Sequence, residues 1–322
     1  MIEDLIIIIP THNRQHYLGR VVKYYSSFPC RVFICDSSKS KADIECGDNI
    51  TYRWVPQSNF YGKVLDVLKE TSADYYALSP DDDFLKQETL IECYDYLNEH
   101  NNFSMGAGKI VAFNQPFDNK LFYMPEGNRL YGINDRVYKD KLEYAKFFEY
   151  NYQNILWSLF RRKVIISAFE CLAACSFENG NFIELLLGIE SLRYGKIYIS
   201  SNALNYTEYI VGEHWGNSIP SINKYNISTI SSLRSDVKLF MQYNDGGDGF
   251  AKHCFQYYLD APFHSSDSFI KVFIKRILPT KICTVLSRIM NKSNKTKPNI
   301  EMVLYSDSVM VERIKTALKS IG

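Results

Sequence analysis

Five branched apolar residues in succession, Leu5-Ile6-Ile7-Ile8-Ile9, are closed by Pro10. Successive side chains of a strand point to opposite faces, so a strand that is apolar at every position must be covered on both. That is the situation of a parallel strand inside a sheet with helices on each side. The residues that follow supply the partners. Thr11-His12-Asn13-Arg14 is a polar turn, after which Leu18, Val21, Val22 and Tyr25 recur at helical spacing. Arg31 to Cys35 reads as a second strand, Thr51 to Val55 as a third and Tyr75 to Leu78 as a fourth. Helical patterns at 63–70 and 88–99 follow the third and fourth. This alternation predicts an open, doubly wound α/β sheet over roughly the first 100 residues.

In such sheets ligands bind outside the carboxyl ends of the strands. Three polar clusters fall there: Thr11-His12-Asn13, Asp36-Ser37-Ser38 and Asp81-Asp82-Asp83. Three adjacent carboxylates repel one another and cost stability unless a cation offsets them. A hard divalent ion with oxygen ligands, shared with substrate phosphates, answers that need. The carboxylate run therefore predicts a metal–diphosphate site at a strand end.

The rest of the chain is less regular. Lys109 to Phe113 and Ile155 to Phe160 read as strands, and an aromatic-rich helix is expected at about 140–150. A further helix is expected near Arg162 to Phe169. Asn181 to Tyr194 has the apolar face of a strong helix, with Gly195 placed as its left-handed terminator. Lys196 to Ser200 is another strand. From residue 226 helical patterns dominate, which divides the chain into a binding and catalytic domain, 1–225, and a helical region, 226–322. Residues 267–297 carry eight Lys/Arg and one acid, interleaved with apolar stripes. Basic amphipathic helices of this kind lie on anionic membrane surfaces or pack on their own domain with a solvated basic face.

Composition narrows the class. With 46% hydrophobic and 23% charged residues the chain is globular, not disordered. A net charge of +1 gives no case for a nucleic-acid partner. The eight cysteines have no Cys-x-x-Cys spacing and form no Cys/His cluster, so reduced buried thiols and a cytoplasmic setting are expected. The start lacks a basic n-region, so no signal peptide is expected. No apolar run reaches the length of a membrane span, which leaves peripheral attachment at the inner face of the cell membrane as the membrane option.

Taken in order, Ile9-Pro10-Thr11-His12-Asn13-Arg14, then Cys35-Asp36-Ser37-Ser38, then Asp81-Asp82-Asp83 resembles the GT-A glycosyltransferases. It is most similar to the family 2 type and its bacterial surface-polysaccharide relatives. The resemblance covers roughly residues 3–215 and is strongest in the first 90. It implies the GT-A fold, a Rossmann-like open mixed sheet flanked by helices, followed here by the helical C-terminal region. It implies that Pro10, Thr11 and His12 line the base and ribose of a nucleotide, with Arg14 also on the donor. Asp36 would read the uracil edge, although Cys35 replaces the family's first acid of that motif. Lys63 would contact the base or the diphosphate. Asp83 would bind Mn²⁺ or Mg²⁺ most directly, Asp81 the ribose or a metal-bound water, and Asp82 would lie on the donor side. His214 would be a further metal or diphosphate ligand, and Trp215 would stack on the acceptor sugar or belong to the core.

The resemblance also implies a general base. In inverting relatives a Glu-Asp pair stands eleven residues before a helix-ending Gly, and here Glu184 has that spacing to Gly195. Ile183 departs from the pattern, and Glu178 and Glu190 remain alternatives. The implied activity is a metal-dependent inverting glycosyltransferase. It would move a sugar from a nucleotide sugar, a UDP-sugar, to a hydroxyl of a bacterial glycan or lipid-linked glycan. The alternatives are a nucleotidyltransferase, for which the Gly-rich basic loop is missing after the first strand, and a non-catalytic nucleotide-sugar or membrane-binding protein on the same fold.

Overall fold

The computed structural model describes residues 1–113, 121–123, 155–208, 219–244, 249–260 and 308–318. The strands are β1 (Ile2–Thr11), β2 (Cys30–Asp36), β3 (Ile50–Trp54), β4 (Tyr75–Leu78), β5 (Phe84–Leu85), β6 (Phe103–Phe113), β7 (Leu121–Tyr123), β8 (Leu159–Arg161) and β9 (Lys196–Glu208). The helices are α1 (Leu18–Tyr25), α2 (Phe60–Glu70), α3 (Gln87–Glu99), α4 (Arg162–Cys175), α5 (Asn181–Tyr194), α6 (Lys224–Thr229), α7 (Ser231–Asn244), α8 (Phe250–Asp260) and α9 (Ser308–Leu318). The nine described strands form one sheet in the order β3-β2-β1-β4-β8-β6-β9-β5, with β7 beside β6.

The apolar run of β1 does what its composition requires. Leu5, Ile7 and Ile9 face one layer of helices and Ile6 and Ile8 the other, all fully buried. The first layer is α1, α3 and α9; the second is α2, α4, α5, α7 and α8. Strands β3, β2, β1 and β4 are parallel, as the alternation predicts. The other half is mixed. β8 runs antiparallel to β4 and to β6, while β6 and β9 are parallel. The whole is an α/β fold with an open mixed sheet flanked by helices.

The C-terminal helices share the core of the sheet. Phe240 of α7 packs 5.6 Å from Phe182 of α5 and 5.1 Å from Phe255 of α8, centroid to centroid. Helix α9 returns to the opposite face, where Tyr24 of α1 donates from its hydroxyl to Met310 Sδ at 3.3 Å. No helix among the described residues is long and apolar enough to cross a membrane.

Two local expectations change. Gly195 is not a left-handed terminator, since its φ of 170° is extended backbone. It is required for space: an added Cβ would lie 2.8 Å from Asn102 O and 3.1 Å from Ser104. The strand expected at 155–160 is three residues, Leu159–Arg161, which pair with Tyr75–Ala77 of β4 and run directly into α4.

This topology decides what meets at one edge. The parallel strands β1 to β4 end there, and so does β9, which runs with β6 and against β8. Helix α5 is joined to β9 through Gly195 alone and packs back along the sheet. Its first turn, with Glu184, therefore lies at the edge where β1 to β4 end.

Candidate functional site at the carboxyl edge of the sheet

β1 lies between β2 on one side and β4 on the other, so the connections diverge at its carboxyl end. Such a switch point opens a crevice, the usual ligand site of an open α/β sheet. The last paired residues make a row across the edge: Thr11 opposite Asp36, and Asp36 opposite Trp54. On the other side, Thr11 Oγ1 donates to Asp81 Oδ2 at 2.5 Å, joining the β1 end to the carboxylate turn.

That turn is held at both ends by one buried side chain. The Tyr25 hydroxyl is 2.8 Å from Ser79 Oγ and accepts from Leu85 N–H at 3.0 Å. Between these clamps the three aspartates separate. Asp81 is buried, and its Oδ1 lies 3.1 Å from Arg14 Nη1. Asp82 Oδ2 is 2.6 Å from Arg14 Nη2. Asp83 turns into the protein, accepting from Thr207 Oγ1 at 3.0 Å and from Glu208 N–H at 3.1 Å. Burial pushes the Asp81 carboxyl up, against the pull of Arg14 and the Thr11 hydrogen bond. Burial pushes Asp83 well up too, with Asp82 adding to it and the donors from Thr207 and Glu208 opposing.

Part of the mutual repulsion of the carboxylates is offset within the chain. One guanidinium, Arg14, bridges Asp81 and Asp82. A second, Arg20, donates to Asp82 O at 2.7 Å and forms a buried ion pair with Glu208. Arg20 also lies 4.2 Å above the Tyr17 ring. Among the described residues no three His, Cys, Asp or Glu groups cluster as metal ligands. Asp81 and Asp82 nevertheless converge on one cation with hard oxygen donors. Mg²⁺ is commonly held by one or two carboxylates completed by substrate phosphates, so these two fit such an ion. Asp83, which the resemblance pairs with Asp81, here accepts from Thr207 and Glu208, and Asp81 and Asp82 are the pair that converges on Arg14.

On the β2 side, Asp36 is fully buried and caps its own turn. Its Oδ1 accepts from Ser38 N–H at 2.8 Å and from the Ser38 hydroxyl, and its Oδ2 from Tyr52 OH at 2.7 Å. The carboxylate expected to read a base edge is therefore the internal fastener of the β2 turn in this structure. The two turns are stitched together: Asn13, at a left-handed φ of 56°, donates its N–H to Ser38 Oγ at 2.7 Å. His12 Nδ1 lies 3.0 Å from both Ser37 O and Ser37 Oγ. Pro10 lies buried at the end of β1. Trp54 stays 39% exposed while its indole N–H donates to Ser38 O at 2.9 Å, an oriented aromatic on the rim.

Lys63 sits beneath these turns. It is buried, and its ammonium donates to Thr11 O and, at 3.1 Å, to Ser37 Oγ. Burial pulls the ammonium down to about 8 from its ordinary 10.5, partly offset by Cys35, Asp36 and Asp81. A lysine whose folded value lies below its unfolded value binds fewer protons in the folded state. Stability thus rises with pH between about 8 and 10.5, and the charged form is a burden at neutral pH. Lys63→Met is expected to raise the thermal midpoint at pH 7 and to flatten the dependence of stability on pH across that window. The same variant leaves Thr11 O and Ser37 Oγ without their cation and is expected to weaken nucleotide binding. Denaturant midpoints at several pH values, with nucleotide titration, check both halves.

Glu184 is half-buried in the first turn of α5. That turn is fixed by neighbours: Asp236 of α7 accepts from the N–H groups of Glu178, at 3.2 Å, and Asn179, at 2.8 Å. Tyr61 OH donates to Phe177 O at 3.2 Å. The charge of Glu184 reaches Tyr258 of α8, whose hydroxyl is pushed up by burial first and by Glu184 next. The two alternative carboxylates differ in setting. Glu178 is exposed in the loop before α5, and Glu190 is buried, accepting from Ser167 Oγ at 2.8 Å and pairing with Arg193 at 3.1 Å. His214, Trp215 and the basic segment 267–297 lie outside the described residues, as does the helix expected at 140–150.

The sequence reasoning did not single out Arg20, Tyr25, Tyr52, Trp54 or Glu208. Tyr52 and Trp54 carried a signal, being large aromatics at the end of a strand whose neighbours bear the polar motifs.

No family model matches the chain, and no curated protein matches it. Among solved structures it is similar to S. aureus TarS, with 13% identity and a TM-score of 0.48 over 83% of this chain. It spans 44% of that TarS chain, less than half its length. It is also similar to TarS 1–349 in complex with UDP-GlcNAc, with 13% identity and a TM-score of 0.49 over 86% of this chain and 77% of that one. For TarS 1–349 in complex with UDP the values are 13%, 0.46, 86% and 76%.

Proposed function

We propose that the chain is a glycosyltransferase that moves a sugar, with inversion, from a UDP-sugar to a hydroxyl of a bacterial surface glycan or lipid-linked glycan. The observation that carries this reading is the set of side chains gathered at the β1 switch point. Thr11, the Asp36 turn and the exposed Trp54 lie in one row, and the Asp81–Asp82 pair adjoins that row through the Thr11–Asp81 hydrogen bond. The row suits a nucleoside: a rim aromatic for the base, with polar turn residues below. The carboxylates lie one strand away, where a diphosphate attached to that nucleoside would reach. The ordered motifs of the sequence support the same substrate.

The chemistry is a single displacement. The acceptor hydroxyl oxygen attacks the anomeric carbon while the bond from that carbon to the phosphate oxygen breaks, and its electron pair leaves with the nucleoside diphosphate. The hydroxyl proton passes to Glu184, at the same edge of the sheet. A divalent cation shared between Asp81, Asp82 and the diphosphate would neutralise the leaving group. Thr11 orients Asp81, while Tyr25 holds the turn that carries it. The basic amphipathic pattern of 267–297 supports an acceptor presented at an anionic membrane.

Thermal-shift titration with UDP-sugars and other nucleotide sugars, with and without Mn²⁺ or Mg²⁺, tests the donor. Ligand at a hundred times its Kd adds about 2.7 kcal/mol of stability. No stabilisation by any nucleotide sugar would sink the reading. Products separate the reaction classes: nucleoside diphosphate for glycosyl transfer, pyrophosphate for nucleotidyl transfer.

A further inference from the structure

We propose that Arg14 is a displaceable counter-cation, holding Asp81 and Asp82 together until a divalent cation and diphosphate take its place. The inference deepens the proposed site and rests on Asp81 and Asp82 being its phosphate-side carboxylates. Two guanidiniums balance the aspartate turn, and they differ in freedom. Arg20 is sealed, with its side chain 2% exposed, paired with Glu208 and covered by the Tyr17 and Phe84 rings. Arg14 also lies over the Tyr17 ring, at 4.4 Å, yet its side chain is 32% exposed and reaches the carboxylates from the polar turn after β1. Its fork takes one oxygen from each acid, Asp81 Oδ1 and Asp82 Oδ2, so it occupies the point where a hard cation would sit. A guanidinium and a divalent ion cannot share that point, because they repel and compete for the same lone pairs.

Two consequences follow for binding order. A divalent ion alone must break two charge-assisted contacts to enter, and gains only two carboxylates. A metal bound to a nucleoside diphosphate brings anionic oxygens that the released guanidinium can engage, since its planar fork matches phosphate. Arg14 thus biases the site against bare metal and towards the metal–nucleotide complex.

The test uses Mn²⁺ alone, with free ion read from its electron paramagnetic resonance signal during titration. Arg14→Gln is expected to bind Mn²⁺ about ten-fold or more tightly than the unsubstituted protein, a difference of about 1.4 kcal/mol. Added methylguanidinium should weaken Mn²⁺ binding by Arg14→Gln and leave the unsubstituted protein unchanged. Arg14→Gln/Asp81→Asn should lose the gain, which places the ion on this turn. Arg14→Lys keeps the charge without the fork and should fall between, and it carries the test if the glutamine variant does not fold. Equal or weaker Mn²⁺ binding in the Arg14 variants overturns the proposal, as does a gain that survives Asp81→Asn. A failure to bind any nucleotide sugar would count against the donor reading while leaving the Mn²⁺ competition to stand or fall on its own titration.

Discussion

Arg20→Met is expected to destabilise the protein by about 3–5 kcal/mol, the cost of leaving one partner of a buried ion pair unpaired. Glu208 would lose its guanidinium partner in a position that solvent scarcely reaches, and Asp82 O would lose its donor. Packing is lost as well, since the guanidinium lies over Tyr17 at 4.2 Å and Phe84 at 5.5 Å. For a chain of this size each kcal/mol lowers the thermal midpoint by about 2–4 °C, so a fall of roughly 10 °C is expected. The pair itself need not be favourable against an apolar substitute. Arg20 Nε has no partner among the described residues, and two charges have been taken out of water. The double variant Arg20→Met/Glu208→Leu should therefore recover much of the loss. Guanidinium chloride unfolding of the two variants beside the unsubstituted protein measures this. A single-variant cost under about 1 kcal/mol would show that the pair does not brace the aspartate turn.

The position of this brace explains what could and could not be read from sequence. β1 was legible because an apolar run on both faces has one solution, and β2 to β4 followed from alternation. Helix α5 was legible over its full length, Asn181–Tyr194, because its apolar face is wide. β5, of two residues, is too short to show a period and exists because β9 pairs with it; β8 is expected over 155–160 and forms only over Leu159–Arg161. The carboxylate run was legible as a charge problem, and its solution was not. Arg14 was visible in the first polar turn, yet nothing local tied it to residues 68 positions away. Arg20 and Glu208 are 188 positions apart and meet only because β9 ends beside the aspartate turn. The hydrogen bonds from Thr207 and Glu208 to the two Asp83 oxygens, which tie the aspartate turn to the end of β9, had no local signal. Identity of residue types fixed the chemistry available at the edge; the pairing of strands fixed which partners each carboxylate meets.

Glu184→Gln is the substitution expected to change turnover most. A positioned general base contributes about 10²–10⁴-fold, and glutamine keeps the size and polarity of the side chain while removing its ability to take a proton. Glu184 occupies the first turn of α5, at the edge where β1 to β4 end, directly after the segment of Phe177, Glu178 and Asn179 that Tyr61 and Asp236 hold; its spacing to Gly195 is what the resemblance implies for the base. A base on a braced helix start keeps its distance to the acceptor, which a flexible loop would not. Glu190 is committed to Ser167 and Arg193, so Glu190→Gln should lower the thermal midpoint without a selective loss of kcat. For Glu184→Gln the expected pattern is the reverse: kcat down by about 10²–10⁴-fold, with nucleotide affinity and unfolding midpoint little changed. The acidic limb of the pH profile of kcat/KM should disappear with it, because that limb reports protonation of the base in the free enzyme. Near-full turnover in Glu184→Gln would remove it from the reaction. A parallel fall in stability would make it a helix-start contact to α8, where its charge already reaches Tyr258.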